Sequence, residues 1–185
     1  MNEIIIKHIR QGHRKAFREV FEYHYHALCA FGYRYLGDPP AVEDLVQEAF
    51  VAFWERRKGF DNAATIKSFL YTSVRNKCLN QLKHKAVQKK HESSLIYELE
   101  SDQHFAQHVI EEETFRILLE EIRKLPEASK EIMILALNGL KNPEIADELG
   151  ISVNTVKTQK KIAYAKLKNK LGPHMGLVLL LMIWG

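Results

Sequence analysis

The chain has 185 residues, 46% hydrophobic and 27% charged, with nine Gly and five Pro. That length holds one domain or two small ones, and the balance excludes a disordered, collagenous or loop-dominated β protein. A net charge of +4 is too small to define a partner by itself, and two cysteines, Cys29 and Cys78, exclude a disulfide framework and fit a reducing cytoplasm.

The N-terminal Met1 to Lys7 lacks the long apolar core of a secretory signal. Between 13 and 36, Phe17, Val20, Phe21, Leu28, Phe31 and Tyr35 recur at three- and four-residue steps and predict a helix. Gly37-Asp38-Pro39-Pro40 ends it. The next helix has the cleanest pattern: Val42, Leu45, Val46, Ala49, Phe50, Phe53 and Trp54 define one wide buried face, and Glu43, Asp44, Gln47, Glu48 and Glu55 the other. After a turn at Gly59-Phe60-Asp61-Asn62, a third helix from about Thr65 to Lys85 buries Ile66, Phe69, Leu70, Val74 and Cys78. Three such helices can share one core.

The third helix also carries polar groups on one side. Ser68, Thr72, Asn76, Asn80 and Lys83 lie at four- and three-residue steps, with Arg75 beside them. Hydroxyl, amide and cationic groups on one face suit contacts to bases and phosphates. Phe60, Phe69 and Tyr71 lie close enough to stack on an unpaired base, although aromatics at this spacing are usually core, the favoured reading for Phe69.

Charge then divides the chain. Residues 75–90 hold six Lys/Arg and no acid; 92–113 hold seven Asp/Glu and no Lys/Arg; from Leu149 onward there are six Lys and no acid. This pattern predicts two small helical domains, 1–90 and 111–172, joined by a flexible acidic linker at 91–110.

In the second half, Phe115, Leu118, Leu119 and Ile122 form a stripe stopped by Leu125-Pro126. Ile132, Leu135 and Ala136 form another, closed by Asn138-Gly139. Asn142-Pro143-Glu144 opens a short helix that ends at Gly150, and Ser152 caps a last helix running to about Leu171. Asn142 to Lys161 thus fits a helix-turn-helix: Ile145, Leu149, Ile151 and Val156 close its core, Ala146 lets the helices cross closely, and Gly150 permits the left-handed turn. On the last helix Val156, Ala163, Leu167 and Leu171 face inward, while Asn154, Lys157, Thr158, Lys161 and Lys168 face outward. Such a face can enter the DNA major groove, with lysines neutralising phosphates. Gln159 stands where an apolar residue often closes the motif.

The tail, 173–185, contains an unbroken apolar run from Leu177 to Trp184. A membrane span needs roughly 20 such residues, so no stable insertion is expected; docking on the chain itself or on a partner is, with contact to a regulator or a membrane surface as the alternative. No phosphate-binding glycine loop or nucleophile elbow occurs, and His24, Tyr25, His26 and Cys29 lack zinc spacing, so neither catalysis nor a metal or other cofactor is expected.

Ala41-Val42-Glu43-Asp44-Leu45-Val46-Gln47-Glu48-Ala49-Phe50, with Trp54, resembles the core-binding helix of bacterial sigma factors. Phe69-Leu70-Tyr71 with Arg75-Asn76 resembles the promoter −10 segment, and Leu125-Pro126, Glu144-Ile145-Ala146, Leu149-Gly150-Ile151-Ser152 and Thr155-Val156-Lys157 resemble the −35-binding domain. Size and order are similar to the extracytoplasmic-function (ECF) group of the sigma-70 family, over nearly all of 8–171. Asn80 stands where relatives often have Asp, and Lys130 where many have Arg.

The resemblance implies an all-α, cytoplasmic, non-enzymatic factor that binds core RNA polymerase and directs it to promoter DNA. Glu43, Asp44, Gln47 and Glu48 would dock on the polymerase. Ser68, Tyr71, Thr72, Arg75, Asn76, Asn80 and Lys83 would contact the opened −10 element, and Asn154, Thr155, Lys157, Thr158, Lys161 and Lys168 the −35 duplex. It also implies an anti-sigma factor as partner. The rival expectation is a helix-turn-helix regulator that binds duplex DNA without polymerase.

Overall fold

The structure, a computed structural model, describes residues 3–88, Leu99 and 101–184, with side chains described through 85 and again from 101 to 170, together with Leu99. Its elements are helices α1 (Glu3–Arg10), α2 (Arg14–Leu36), α3 (Pro39–Glu55), α4 (Ala63–Gln88), α5 (Asp102–Arg123), α6 (Glu127–Leu137), α7 (Asn142–Leu149) and α8 (Val153–Trp184), with a 3₁₀ turn at Arg57–Gly59. There is no strand among the described residues, so the expected all-α class holds. The chain divides into two compact units, Met1–Glu113 and Thr114–Gly185.

In the first unit, α2, α3 and α4 pack against one another around Leu28, Phe31, Val46, Phe50, Phe53, Ile66, Leu70 and Val74. Burying each aromatic side chain stabilises the unit by roughly 2–3 kcal/mol. Local chemistry sets the joints. Gly37 adopts φ 64° and donates its N–H to Tyr33 O at 2.8 Å, ending α2. Asp38 Oδ1 accepts from Ala41 N–H at 3.4 Å and opens α3 ahead of two prolines. Asn62 Oδ1 accepts from Thr65 N–H at 2.9 Å and sets α4 off two residues earlier than its apolar stripe indicates.

Two elements of this unit extend beyond the sequence expectations. Helix α1 buries Ile6 and Ile9 against α2, although its eight residues carry too little pattern to stand out. Of the expected linker, residues 91–98 and 100 lie outside the described residues, but from Asp102 the chain is helical. Leu99, Phe105 and Val109 join the first unit's core, so ordered structure continues into the stretch assigned to the connector. The acids there read as solvated because their cationic partners lie far away in sequence.

In the second unit, Leu118, Ile122, Met133, Ala163 and Leu167 form one cluster, and Ile132, Ala136, Ile145, Ala146 and Val156 a second beneath the helix-turn-helix. Phe115, expected in the core, is 39% exposed, because the buried edge of α5 runs through Leu118 and Ile122. Gly150 has φ 63°, Ile151 N–H donates to Ala146 O at 3.0 Å, and Ser152 Oγ accepts from Thr155 N–H at 3.0 Å, as the turn reading requires. The α7 cap lies one residue earlier than expected, at Lys141, whose N–H donates to Glu144 Oε2 at 2.6 Å. The backbone of α8 continues past Leu171 to Trp184. A proline removes one helical hydrogen bond, and the apolar residues after it are good helix formers.

Helices α2, α3 and α4 approach closely at Gly32, where a Cβ would lie 2.8 Å from Val42 Cγ1 and 3.4 Å from Val74 Cγ1. Gly32→Ala gains up to about 1 kcal/mol of helix propensity but forces α3 outward at an overpacking cost of about 1–3 kcal/mol. Chemical denaturation should show a net loss of up to about 2 kcal/mol; a more stable variant would mean that α2 and α3 can separate freely.

Candidate nucleic-acid and partner interfaces

Helix α3 has two chemically distinct faces. Val42, Val46, Ala49 and Phe53 are fully buried, which turns Glu43, Asp44, Gln47 and Glu48 to solvent together. Asp44, Gln47, Glu48, Val51, Ala52 and Glu55 line a shallow groove with Lys77 of α4, which pairs with Glu48. The structure therefore brings all four acidic-stripe residues into one surface, and adds Val51, 58% exposed, as an apolar contact that the sequence pattern did not single out.

Helix α4 exposes Ser68, Thr72, Asn76, Asn80 and Lys83 along one side, as the spacing predicts. A second groove, lined by Arg56, Thr65, Ser68, Phe69, Thr72, Ser73 and Asn76, lies on that face. Phe69 is half-buried, packed edge-on against Phe60 at 5.1 Å with the Arg56 guanidinium 5.6 Å from its ring centre. Arg56 and Ser73 are site candidates that α4's four-residue register alone does not reveal. Phe60 belongs to the core, against Phe53.

Two expected members do not join this face. Tyr71 is 1% exposed, set edge-on to Phe31 at 5.1 Å, and its hydroxyl donates to Glu113 Oε1 at 3.0 Å. One helical step from the exposed Thr72, it points with Val74 and Cys78 into the core. Arg75 has only 12% of its side chain exposed; it pairs with Asp102 at 3.1 Å and lies 4.7 Å from the centre of the Phe105 ring. Both are covered by the first half of α5.

Elsewhere in the first unit, His24 is 2% exposed while His26 is exposed, so the two imidazoles diverge. Burial pushes the Cys78 thiol up to about 12, which leaves it protonated and inert.

In the second unit, Asn154, Thr155, Lys157, Thr158, Lys161 and Lys168 are all exposed along α8, opposite buried Val156, Ala163 and Leu167. Gln159 finds its use: buried Ser129 of α6 donates its hydroxyl to Gln159 Oε1 at 2.7 Å. A polar pair thus replaces an apolar closure and fixes α8 on α6. Lys160 runs its stem into the unit, and burial lowers its ammonium pKa.

Exposed polar faces on α3, α4 and α8, the last within a helix-turn-helix, fit a helical transcription protein of modular build. The description "Sigma-70 region 2" matches residues 20–87 and "Sigma-70, region 4" matches 115–167, together about two thirds of the chain. The ECF RNA polymerase sigma factor SigW of Bacillus subtilis is 24% identical over 168 residues, covering 83% of this chain and 88% of the relative. The RNA polymerase sigma factor NccH of Alcaligenes xylosoxydans xylosoxydans is 29% identical over 176 residues, covering 90% and 92%. The ECF RNA polymerase sigma-E factor of Haemophilus influenzae is 24% identical over 184 residues, covering 94% and 97%. A solved structure of CnrH in complex with the cytosolic domain of CnrY has 24% identity over 91% of this chain and 96% of that one, at a TM-score of 0.37. The chain belongs to the sigma-70 family, in its ECF group.

Ser129→Ala leaves the half-buried Gln159 amide oxygen unpaired and should lower the second unit's stability by about 1 kcal/mol. Ser129→Ala combined with Gln159→Leu should recover most of that loss in denaturation. A double variant no better than the single one would show that the hydrogen bond does not hold α8 on α6.

Proposed function

We propose that this chain is a specificity subunit of RNA polymerase, which binds the core enzyme through α3 and directs promoter recognition through α4 and α8. The observation that carries this reading is the division of faces in α3. An apolar side locked into the core leaves an acidic, solvent-facing stripe of which Glu48 alone forms an ion pair, with Lys77, among the described residues. A duplex-binding regulator has no need of that stripe. Glu43, Asp44, Gln47 and Glu48 dock on a cationic surface of the core enzyme, which steers and registers association.

Promoter contact divides by the state of the DNA. The α4 face, Ser68, Thr72, Asn76, Asn80 and Lys83, takes the opened −10 strand, with Arg75 beside it and Tyr71 supporting it from the core. Its groove beside Phe69 receives an unstacked base, which offsets the energy of opening the duplex. Asn154, Thr155 and Thr158 lie near the N-terminal end of α8, the end that meets base edges in the major groove, while Lys157, Lys161 and Lys168 neutralise phosphates of the −35 duplex. Nothing in these roles breaks or forms a covalent bond, so the chain itself is not an enzyme. It works with the polymerase in the cytoplasm; no helix among the described residues is long and apolar enough to cross a membrane. An anti-sigma factor covering these faces would hold it silent. Domain limits of 1–90 and 111–172, with 91–110 between them and a tail at 173–185, fit this division of labour.

Glu43→Lys with Asp44→Lys reverses the stripe without touching the core. Pull-down should lose core polymerase while duplex −35 binding stays unchanged; retained polymerase would move the docking face elsewhere and favour the duplex-only regulator. Lys157→Ala with Lys161→Ala removes two phosphate contacts. The plot of log affinity against log salt should become shallower by about 1.8, and an unchanged slope would place those lysines off the DNA.

A further inference from the structure

The first half of α5 is a strap of carboxylates laid across the cations of the first unit. Asp102 pairs with Arg75 at 3.1 Å, Glu111 and Glu112 with Arg34, the latter at 3.0 Å, and Glu113 lies 3.9 Å from Lys67 while accepting from Tyr71. Between these acids Phe105 packs edge-on against Phe31 at 5.9 Å, and Val109 packs on the same core. The steps 102, 105, 109 and 112–113 put carboxylates and apolar anchors on one side of a single helix.

The environment of Arg75 tells what the strap imitates. Its guanidinium meets a carboxylate oxygen and at the same time lies over an aromatic ring, 4.7 Å from the centroid. An arginine bound to single-stranded DNA has the same two partners, a phosphate oxygen and a base face. We propose that residues 102–113 act as an internal nucleic-acid mimic, an autoinhibitory strap that occupies Arg75 and must lift from the first unit before its guanidinium reaches an unpaired DNA strand. The proposal rests on the assignment of α4 to opened DNA.

The contact is built to be reversible. Asp102 has 96% of its side chain exposed, and Arg34 and Glu111 are about 40% exposed, while Glu112, Glu113 and Arg75 are mostly buried. The wet pairs contribute little and are screened by salt, so the strap opens most easily from its Asp102 end. A polyanion offering many phosphates can displace them, whereas the buried α2–α3–α4 core stays intact. Strap and DNA thus compete for one set of cations, and the strap sets how tightly the free protein holds DNA away from a promoter.

The test uses the full chain and a fluorescein-labelled, mixed-sequence single strand of roughly 12 nucleotides, within the span such surfaces cover. Asp102→Asn with Glu113→Gln removes two strap charges isosterically, and Phe105→Ala removes the apolar anchor at constant charge. Each should tighten binding about 3- to 10-fold and raise amide hydrogen exchange across 102–113. Glu19→Gln with Glu22→Gln, exposed acids elsewhere on α2, is the charge-matched control and should change binding less than about twofold. Adding Arg75→Gln to the Asp102/Glu113 variant should abolish the gain. Strap variants that exchange faster yet bind no tighter than the control would overturn the strap while leaving the α4 assignment standing. Failure of every variant and the unaltered chain to bind the strand would overturn that assignment and the strap with it. Should Phe105→Ala lower the melting temperature of the first unit, the isosteric charge variant still decides.

Discussion

The close crossing of α2 with α3 and α4 at Gly32 governs the first unit. With Val42 Cγ1 2.8 Å from where a Cβ would stand, α3 has little freedom to roll about its axis. Rolling would drag Glu43 and Glu48 toward the core and bring Val46 or Phe53 into water. Fixing one face by packing fixes the opposite face by geometry, since residues three and four apart share a side. The acidic stripe on α3 and the polar row on α4 are both consequences of how the same aromatic and aliphatic side chains interlock on the inside.

The second unit uses the same logic with a different lock. Val156, Ala163 and Leu167 hold α8 by its apolar side, and the Ser129–Gln159 hydrogen bond adds a directional constraint that apolar contact lacks. A recognition helix must present Asn154, Lys157 and Thr158 in one orientation. A part-buried polar pair penalises rotation of α8 because turning would leave two groups unpaired. Gln159, which departs from the usual apolar closure, is thereby explained as a substitution of one kind of fastening for another.

Much of this was legible in the sequence where the physics is local. The alternating three- and one-residue steps of α3, the Gly37 and Gly150 turns, the Ser152 cap and the outward row of α8 follow from helical period and backbone chemistry alone. What was hidden depends on contacts remote in sequence. Asp102, Glu111, Glu112 and Glu113 looked like a solvated connector, yet they meet Arg34, Lys67 and Arg75 from α2 and α4. His104 and His108, beside Tyr35, dilute the apolar stripe that would have marked this stretch as packed helix. The family resemblance assigns Tyr71 to the −10 contact, but it sits one position, about 100°, from the exposed Thr72, and that rotation puts it in the core.

The central claim is that one chain couples a polymerase-docking face to two DNA-reading faces, and it is tested most directly by transcription. Purified core polymerase, free of other specificity subunits and shown active when one is supplied, is mixed with this chain and a library of genomic promoter fragments. The account predicts transcripts from a discrete subset of templates, starting at fixed positions downstream of a shared pair of sequence elements. Silence on every template, with the chain folded and no inhibitor present, would contradict it.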